Sequence, residues 1–252
     1  MSGPLPTEGP RGIRRSDRLL MVGYTGCGKT ELAKMIAARS RTRLIVWDPK
    51  DELELRVAKA RGIGSLEKAL REPRRIVHWV PVTGERDEYE AAAALVWRTP
   101  GPWLWWVDEA SECTSPSWCP TGLRLAATQG RTSERSVMAL TQRVAECHAV
   151  LRSQAEHIFV FAEEPIDLDL KALAGHVPLS AADLAQALRE LHSEYGRHAH
   201  LWSIRPTREL RRCAPIPLRR PPGRAPRQPP ESPGGPERAA SGPEPDTVEP
   251  PA

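Results

Sequence analysis

Short apolar runs alternate with longer stretches of mixed polarity along most of the 252-residue chain. Apolar runs bounded by turn residues predict buried strands, and the longer stretches between them predict helices. The predicted strands are Arg18–Val22, Arg43–Trp47, Arg75–Pro81, Trp103–Glu109, Ser136–Leu140, His157–Phe161 and His200–Ile204. The predicted helices are Lys29–Arg39, Leu53–Arg61, Leu66–Arg71, Arg86–Trp97, Leu123–Gln129, Val144–Ala155, Pro165–Ala174 and Ala181–Tyr195. This alternation is typical of a three-layer α/β fold, in which helices flank a mainly parallel central sheet.

The segment between the first strand and the first helix is rich in glycine and ends in Lys-Thr. Its eight residues are Gly23, Tyr24, Thr25, Gly26, Cys27, Gly28, Lys29 and Thr30, which fit the pattern G-x-x-x-x-G-K-T. Glycines let backbone N–H groups close around phosphate oxygens at a helix N-terminus, whose dipole favours anions. We expect Lys29 to contact the β- and γ-phosphates of ATP and the Thr30 hydroxyl to bind Mg²⁺. The alternative is an ordinary glycine-rich turn.

Two carboxylates follow the apolar run Trp103–Val107. A strand ending there would deliver both to the edge of the sheet near the glycine-rich loop. We expect Asp108 to hold the Mg²⁺ shell and Glu109 to polarise the attacking water. An aspartate followed by a glutamate favours ATP hydrolysis over phosphoryl transfer to a small molecule. The tryptophans of this run are interpreted as buried strand residues and not as a base-stacking platform.

Polar side chains also follow or interrupt other predicted strands. Gln142 follows a strand end and is expected to hydrogen-bond the γ-phosphate or the attacking water, although a helix cap is equally compatible with its position. Asp48 lies at the carboxyl end of the second strand, where α/β sheets place ligand sites. It also fits a turn aspartate that caps the next helix. His78 lies within a strand and is interpreted as a core or sheet-face histidine.

Composition divides the chain into three parts. We predict a flexible leader over residues 1–16, a P-loop domain over 17–204 and a disordered Pro/Arg-rich tail over 205–252, because more than half of the 26 prolines follow Arg205. The basic half of the tail would suit DNA or an anionic capsid or membrane face, and a merely solubilising tail fits equally well. The formal charge of +4 does not by itself indicate a nucleic-acid partner.

The five cysteines and the absence of long apolar runs restrict the location of the protein. The cysteines form no C-x-x-C pair and no signal peptide precedes them, so we expect reduced thiols in a cytoplasm. Cys113, Cys119, Cys147 and His148 do not have the usual spacing of zinc ligands. No apolar run approaches the roughly 18 residues of a membrane span, so no transmembrane segment is expected.

The ordered set of motifs resembles the FtsK/HerA superfamily of DNA-pumping P-loop ATPases. The motifs are Gly-Tyr-Thr-Gly-Cys-Gly-Lys-Thr, Trp-Asp-Pro-Lys, Trp-Val-Asp-Glu, Gln-Gly-Arg, Leu-Thr-Gln-Arg and Glu-His-Ile-Phe-Val-Phe. The resemblance covers about residues 17–175. In its small size the chain is similar to the genome-packaging ATPases of tailless, internal-membrane phages and their large-virus relatives.

The resemblance assigns further roles by position. It implies that Gln142 senses the γ-phosphate and that Arg131 is an arginine finger supplied to a neighbouring subunit, with Arg135 and Arg143 as rivals. It matches Asp48 to the acidic residue after the second strand of the family. A finger acting in trans implies a homo-oligomeric ring, usually a hexamer. Thr-Gln-Arg is followed by Val-Ala instead of the proline-containing string of FtsK, and neither a membrane anchor nor a winged-helix domain is evident, so a septal chromosome translocase is disfavoured.

Together these features predict an ATPase that couples ATP hydrolysis to the movement of double-stranded DNA into a viral capsid. The expected location is the host cytoplasm, with virion association, a capsid vertex or membrane-associated proteins as further options. The alternatives are a conjugative plasmid-transfer or Zot-like DNA-export ATPase, a small-molecule kinase of P-loop fold, and a nucleotide-dependent assembly factor with little hydrolysis.

Overall fold

The computed structural model describes residues 12–162 and 166–216, which all fall within one structural unit. Within these residues the strands are β1 (Leu19–Val22), β2 (Arg43–Trp47), β3 (Lys59–Arg61), β4 (Ile76–Val80), β5 (Trp103–Val107), β6 (Arg135–Thr141), β7 (His157–Phe161), β8 (His200–Ile204) and β9 (Glu209–Cys213). The helices are α1 (Lys29–Ser40), α2 (Gly62–Arg71), α3 (Arg86–Arg98), α4 (Ala110–Cys113), α5 (Thr121–Gln129), α6 (Ala149–Gln154), α7 (Asp167–Ala174) and α8 (Ala181–Tyr195). A 3-10 turn, Gly130–Ser133, precedes β6.

All nine of these strands join one sheet in the order β3-β4-β2-β5-β6-β1-β7-β8-β9. Every pairing from β3 to β7 is parallel, whereas β8 and β9 are antiparallel to their neighbours. The parallel strands therefore all end at one edge of the sheet, here called the carboxyl edge, and all begin at the opposite amino edge. Because β1 lies between β6 and β7 and β6 pairs with β5, the ends of β1, β5 and β6 are close together.

Helices cover both faces of the sheet. Successive strand residues point to opposite faces, so Leu20 in β1 joins the apolar cluster of α2, α3, α5 and α8. Leu19 and Met21 join a second cluster with α1, through residues such as Leu32 and Ile36. The predicted three-layer α/β fold with a mainly parallel sheet is therefore confirmed.

The tryptophans of the central strands lie in the core. Trp47, Trp79 and Trp105 are fully buried. The ring centroid of Trp47 lies 4.8 Å from that of Trp79 and 4.7 Å from that of Trp105, within the range of favourable aromatic pairs. Their interpretation as buried strand residues is confirmed, and none of the three is exposed to stack on a base.

The assignments of residues 53–61, 110–113 and 209–213 need correction. The predicted helix Leu53–Arg61 is wrong, because its last residues form the edge strand β3 and the residues before it are irregular. Strand β9 was not predicted and falls within the range assigned to the tail. Its charged residues hide the strand pattern, as is common at sheet edges. The short helix α4 was likewise not predicted.

The ends of the chain lie outside the described residues. Residues 1–11 of the predicted leader and residues 217–252 of the predicted tail fall there. None of the helices in residues 12–162 and 166–216 combines the length and the hydropathy needed to cross a membrane.

Candidate active site

The glycine-rich loop joins β1 to α1 at the carboxyl edge and depends on glycine at three positions. Gly26 and Gly28 have φ angles of 78° and 109°, in the left-handed region that side chains disfavour. A Cβ on Gly23 would lie 2.7 Å from Cys27 Sγ and 2.8 Å from Phe161 Cβ, closer than side-chain atoms pack. The loop is therefore held in one shape against the end of β7.

The start of α1 provides backbone N–H donors and the ammonium group of Lys29. The helix begins at Lys29, and no side chain caps its first turn. N–H groups at an uncapped helix start lack intrahelical partners and favour an anion. Lys29 is only 8% exposed, and its Nζ donates to the carbonyl oxygens of Gly23 at 2.6 Å and Tyr24 at 3.1 Å. The ammonium group thus lies over the loop, where phosphate oxygens of a bound nucleotide would compete with these two carbonyl oxygens as its acceptors.

Asp108 follows β5 at the same edge. Burial raises the pKa of its carboxyl group to about 6. The indole N–H of Trp106 and the charge of Lys29 oppose this rise, whereas the charges of Asp48 and Glu109 add to it. A half-buried carboxyl group whose pKa is raised in this way is stabilised in its ionised form by a nearby cation. Asp108 and the Thr30 hydroxyl offer the hard oxygen donors that Mg²⁺ prefers, so these residues fit the metal.

Glu109 is held in a strained and specific position. Its φ angle is 51°, unusual for a residue with a side chain, and the residue is only 8% exposed. Its Oε1 accepts the backbone N–H of Gln142 at 2.8 Å, and its Oε2 accepts the Gln142 side-chain amide at 2.9 Å. Ser111 Oγ donates to Oε1 at 3.1 Å. The predicted base and the predicted sensor are therefore in direct contact.

This contact suggests how the two residues act together. The Gln142 amide contacts either Glu109 or another acceptor, such as a phosphate oxygen or a water molecule. If the amide turns to a phosphate, Glu109 loses one of its hydrogen bonds and is freer to reorient. Lys50, which the sequence did not single out, lies 3.8 Å from Glu109 Oε2 and 3.3 Å from Glu112 Oε1 and adds positive charge beside Glu109.

Asp48 is fully buried and engaged in structural hydrogen bonds. Its carboxylate accepts the backbone N–H groups of Glu52 and Leu53 and the His78 Nε2–H, each at 3.0 Å. Burial alone would raise the pKa of Asp48, but these hydrogen bonds outweigh burial and lower it. The structure shows Asp48 as a turn aspartate whose carboxylate accepts backbone N–H groups, but the helix that it was expected to cap does not form, because residues 53–58 are irregular. His78 is buried within the sheet, which confirms its interpretation.

The three candidate arginine fingers occupy different surroundings. Arg131 is exposed in the 3-10 turn at the amino edge, the far end of the sheet from its own glycine-rich loop, and its side chain has no hydrogen bond or ion pair with other described residues. Arg135 donates to the Trp97 carbonyl at 2.9 Å and stacks on the Trp97 ring. Arg143 lies at the carboxyl edge and pairs with Asp169 at 3.2 Å and Glu146 at 3.1 Å. Of the three, Arg131 is the one left to act on another molecule.

The turn between α8 and β8 adds two residues that the sequence did not reveal. Gly196 has a φ angle of 79° and reverses the chain after α8. His198 Nδ1 lies 3.1 Å from the Cys27 carbonyl oxygen, so this nitrogen carries the hydrogen and donates it. Arg197 Nη2 lies 3.5 Å from the position of a Cβ on Gly26. These residues are about 170 positions from the glycine-rich loop and form no motif, so only the fold brings them together.

Arg197→Ala is expected to weaken nucleotide binding by about tenfold or more, because a charge-assisted hydrogen bond to phosphate is worth roughly 1.5–3 kcal/mol. Titration of the protein with a fluorescent ATP analogue measures this affinity. The matched control is Arg124→Ala, which removes an exposed arginine from α5. Equal affinity in Arg197→Ala and the control would show that Arg197 does not contact the nucleotide.

Comparison with known proteins gives matches in structure only. No protein-family model matches the chain, and no curated protein matches it. The solved structures that resemble it include the genome-packaging NTPase B204 from Sulfolobus turreted icosahedral virus 2 in complex with AMPPCP, with a TM-score of 0.62 and 17% identity over 81% of this chain and 100% of that one. They also include VirB4 of Thermoanaerobacter pseudethanolicus, with a TM-score of 0.58 and 13% identity over 81% of this chain and 91% of that one.

At these identities the similarity shows the fold. The B204 and VirB4 chains are matched over nearly their whole length, so the likeness extends well beyond the glycine-rich loop. The fold that the resemblance to FtsK/HerA P-loop ATPases implied is thus confirmed, and membership of that superfamily stays a prediction.

Proposed function

We propose that this protein is an ATPase that uses ATP hydrolysis to move double-stranded DNA, and that it packages a viral genome into a capsid. The observation that carries the hydrolytic part is the hydrogen-bonded pair Glu109–Gln142 at the carboxyl edge, beside Asp108 and the glycine-rich loop. Support for the packaging part comes from the motif resemblance and from the fold shared with the genome-packaging NTPase B204.

In the proposed mechanism the loop residues 23–30 surround the phosphates of ATP. Lys29 exchanges the carbonyl oxygens of Gly23 and Tyr24 for oxygens of the β- and γ-phosphates. Thr30 and Asp108 would hold Mg²⁺, which neutralises phosphate charge when it is bound. Glu109 accepts a proton from the attacking water, and Gln142 orients that water or the γ-phosphate.

The site is completed by a second subunit in this proposal. Arg131 lies at the edge of the sheet opposite its own glycine-rich loop, so it cannot reach its own nucleotide without a large movement. If each subunit supplies this arginine to the next, the subunits are arranged head to tail. Such an arrangement forms a closed ring when the successive rotations between subunits add up to a full turn. We propose a homo-oligomeric ring, with six subunits as in the family it resembles, in the host cytoplasm and at a capsid vertex during packaging.

The rate of ATP hydrolysis with and without long double-stranded DNA tests this function. We expect the DNA to raise the turnover rate, because a translocase couples its catalytic cycle to its track. A turnover rate that does not respond to DNA would contradict the motor function and favour a small-molecule kinase or an assembly factor.

A conjugative DNA-transfer ATPase is the second candidate, and the fold shared with VirB4 is the observation that favours it. Both candidates use the same ATPase site. Co-purification with a relaxase or a secretion channel, instead of with capsid proteins, would support the transfer function over packaging.

A further inference from the structure

Strands β2 and β4 lie between groups of opposite charge. Four exposed carboxylates follow these strands at the carboxyl edge: Glu52, Glu54, Glu85 and Asp87. None of these four side chains has a hydrogen bond or ion pair within the part of the chain that the structure describes. Three basic residues beside them, Lys50, Lys59 and Arg61, are already bound to other carboxylates. Arg56 and Arg86 remain as counter-charges, so this part of the carboxyl edge is net negative.

The amino ends of the same strands lie beside exposed arginines. Three of these have side chains that make no hydrogen bond or ion pair with a described residue: Arg41 before β2, Arg75 before β4 and Arg98 before β5. Two carboxylates lie nearby, Glu72, which pairs with Arg74, and Glu134, which follows the 3-10 turn. This part of the amino edge is therefore net positive.

Helix dipoles account for part of this pattern. They favour carboxylates at the start of α3, where Glu85 and Asp87 lie, and cations at its end, where Arg98 lies. Glu52 and Arg75 lie outside helices, so no helix dipole explains their positions. A partner of complementary charge would explain the pattern at both edges.

The exposed large hydrophobic side chains also concentrate at the carboxyl edge. Among the described residues these are Val82, Ile166, Leu168 and Tyr195, with exposed fractions of 70%, 41%, 57% and 36%. Val82 follows β4, and Tyr195 ends α8 just before β8. Ile166 and Leu168 lie at the start of α7, after β7. Single exposed apolar residues are common, but apolar groups rimmed by charges along one edge are typical of a surface that binds another protein.

The amino edge has room to receive such side chains. A groove of about 710 Å³ opens there between the end of α6, the segment after α7 and the β8–β9 turn, and it is lined among others by Val177, Pro178, Arg205 and Arg208. The aliphatic stems of arginines pack against apolar groups while the guanidinium binds a carboxylate. Ser203 also lines the groove, and its buried Oγ has no hydrogen-bond partner among the described residues. The groove therefore fits an apolar segment that also carries an acidic group.

The start of α7 is a segment of this kind. It presents Ile166, Asp167 and Leu168, and the exposed Asp167 side chain is not bonded to any residue that the structure describes. This segment follows the end of β7, whereas the groove lies beside the start of β7, so the two are at opposite ends of one strand. A second copy of the chain, stacked end to end on the first, would bring its own α7 start to the groove.

We propose that the amino edge of one copy docks on the carboxyl edge of the next copy. In this contact Arg41 and Arg75 face the carboxylates that follow β2 and β4, and the start of α7 enters the groove. The two contact regions flank β6, so the same alignment of strands points Arg131 at the neighbour's glycine-rich loop, which follows β1 beside β6. Because both edges belong to one chain, a repeated head-to-tail contact satisfies them together. The inference rests on the proposed function and names the surfaces that join its subunits.

Charge reversal on each edge tests this contact. The variants are Arg41→Glu/Arg75→Glu on the amino edge and Glu52→Arg/Glu54→Arg on the carboxyl edge. Sedimentation of the full chain with a non-hydrolysable ATP analogue, over a range of protein concentrations, measures the oligomeric state. We expect each variant to need at least about tenfold more protein to assemble than the wild type, since like charges placed opposite one another repel.

An equal mixture of the two variants should assemble although neither does so alone, because every reversed edge then meets an edge of opposite charge. Binding of a fluorescent ATP analogue should be unchanged in both variants, which shows that they are folded. The control is Arg124→Glu, which reverses an exposed arginine on α5 and should assemble like the wild type.

The outcomes separate this inference from the proposed function. A wild type that assembles no better than the two variants would overturn the contact through these charges and leave the ring standing. Loss of assembly that the mixture does not reverse would also overturn the contact. A wild type that stays monomeric with nucleotide and duplex DNA would overturn both the contact and the ring. A monomeric wild type that binds duplex DNA, with binding lost in Arg41→Glu/Arg75→Glu, would assign these arginines to DNA instead of a second copy.

Discussion

Arg131→Ala is expected to lower the rate of ATP hydrolysis by about 10³- to 10⁵-fold, the contribution of an arginine finger in related phosphoryl-transfer sites. Nucleotide affinity should change little, because Arg131 lies at the opposite edge of the sheet from its own glycine-rich loop. Steady-state phosphate release and titration with a fluorescent ATP analogue measure the two quantities. Arg124→Ala serves as the control for loss of an exposed arginine from α5.

Mixing two inactive variants tests whether Arg131 acts in trans. A ring assembled from Arg131→Ala and Glu109→Gln subunits contains sites with an intact Glu109 from one subunit and an intact Arg131 from its neighbour. At equal ratios, random assembly in a head-to-tail ring produces such sites at about a quarter of the interfaces, so activity should partly return. Mixtures that remain inactive would contradict a finger supplied by the neighbour.

Glu109→Gln is expected to reduce hydrolysis by about 10²- to 10⁴-fold while ATP still binds, because an amide cannot accept the proton of the attacking water. Glutamine has nearly the same shape, and its carbonyl oxygen can still accept the Gln142 backbone N–H that now bonds Glu109 Oε1 at 2.8 Å. The fold should therefore persist. Single-turnover hydrolysis with excess protein separates the chemical step from binding and product release.

Glu112→Gln is the matched control for this variant. Glu112 is an exposed carboxylate three residues away, and it shares the contact with Lys50. Its removal should leave the rate within a few fold of the wild type. Comparable losses of hydrolysis rate in the two variants would indicate that the rate depends on the negative charge around Lys50 and not on proton acceptance by Glu109.

The sequence predicted most of the sheet and the parts of the site that form within one local segment. The glycine-rich loop is recognisable because one continuous stretch holds a strand, the glycines that permit positive φ angles and a helix start. Asp108 and Glu109 are recognisable because a buried apolar run ends at them. In both cases the chemistry follows from neighbours in the chain.

Contacts between distant segments were not predictable in this way. The Glu109–Gln142 pair depends on β5 and β6 being neighbours in the sheet, and no local pattern shows strand order. The role of Asp48 stayed open because its partner His78 lies 30 residues further along. Arg197 and His198 reach the glycine-rich loop only because α8 and β8 pack beside β7.

The edges of the sheet were missed for a related reason. Strands β3 and β9 are short and carry charged residues, so they lack the apolar alternation of central strands. They are strands because their backbones pair with β4 and β8. The pairing partner, and not the residue pattern, determines their structure.

The most direct test of DNA movement is the displacement of a third strand from a long linear duplex. The full-length protein is mixed with duplex DNA that carries a fluorescent triplex-forming oligonucleotide, and release of the oligonucleotide is followed after ATP is added. We predict release that requires ATP hydrolysis, is lost in Glu109→Gln and persists in Glu112→Gln. ATP hydrolysis without release of the oligonucleotide would contradict a DNA translocase.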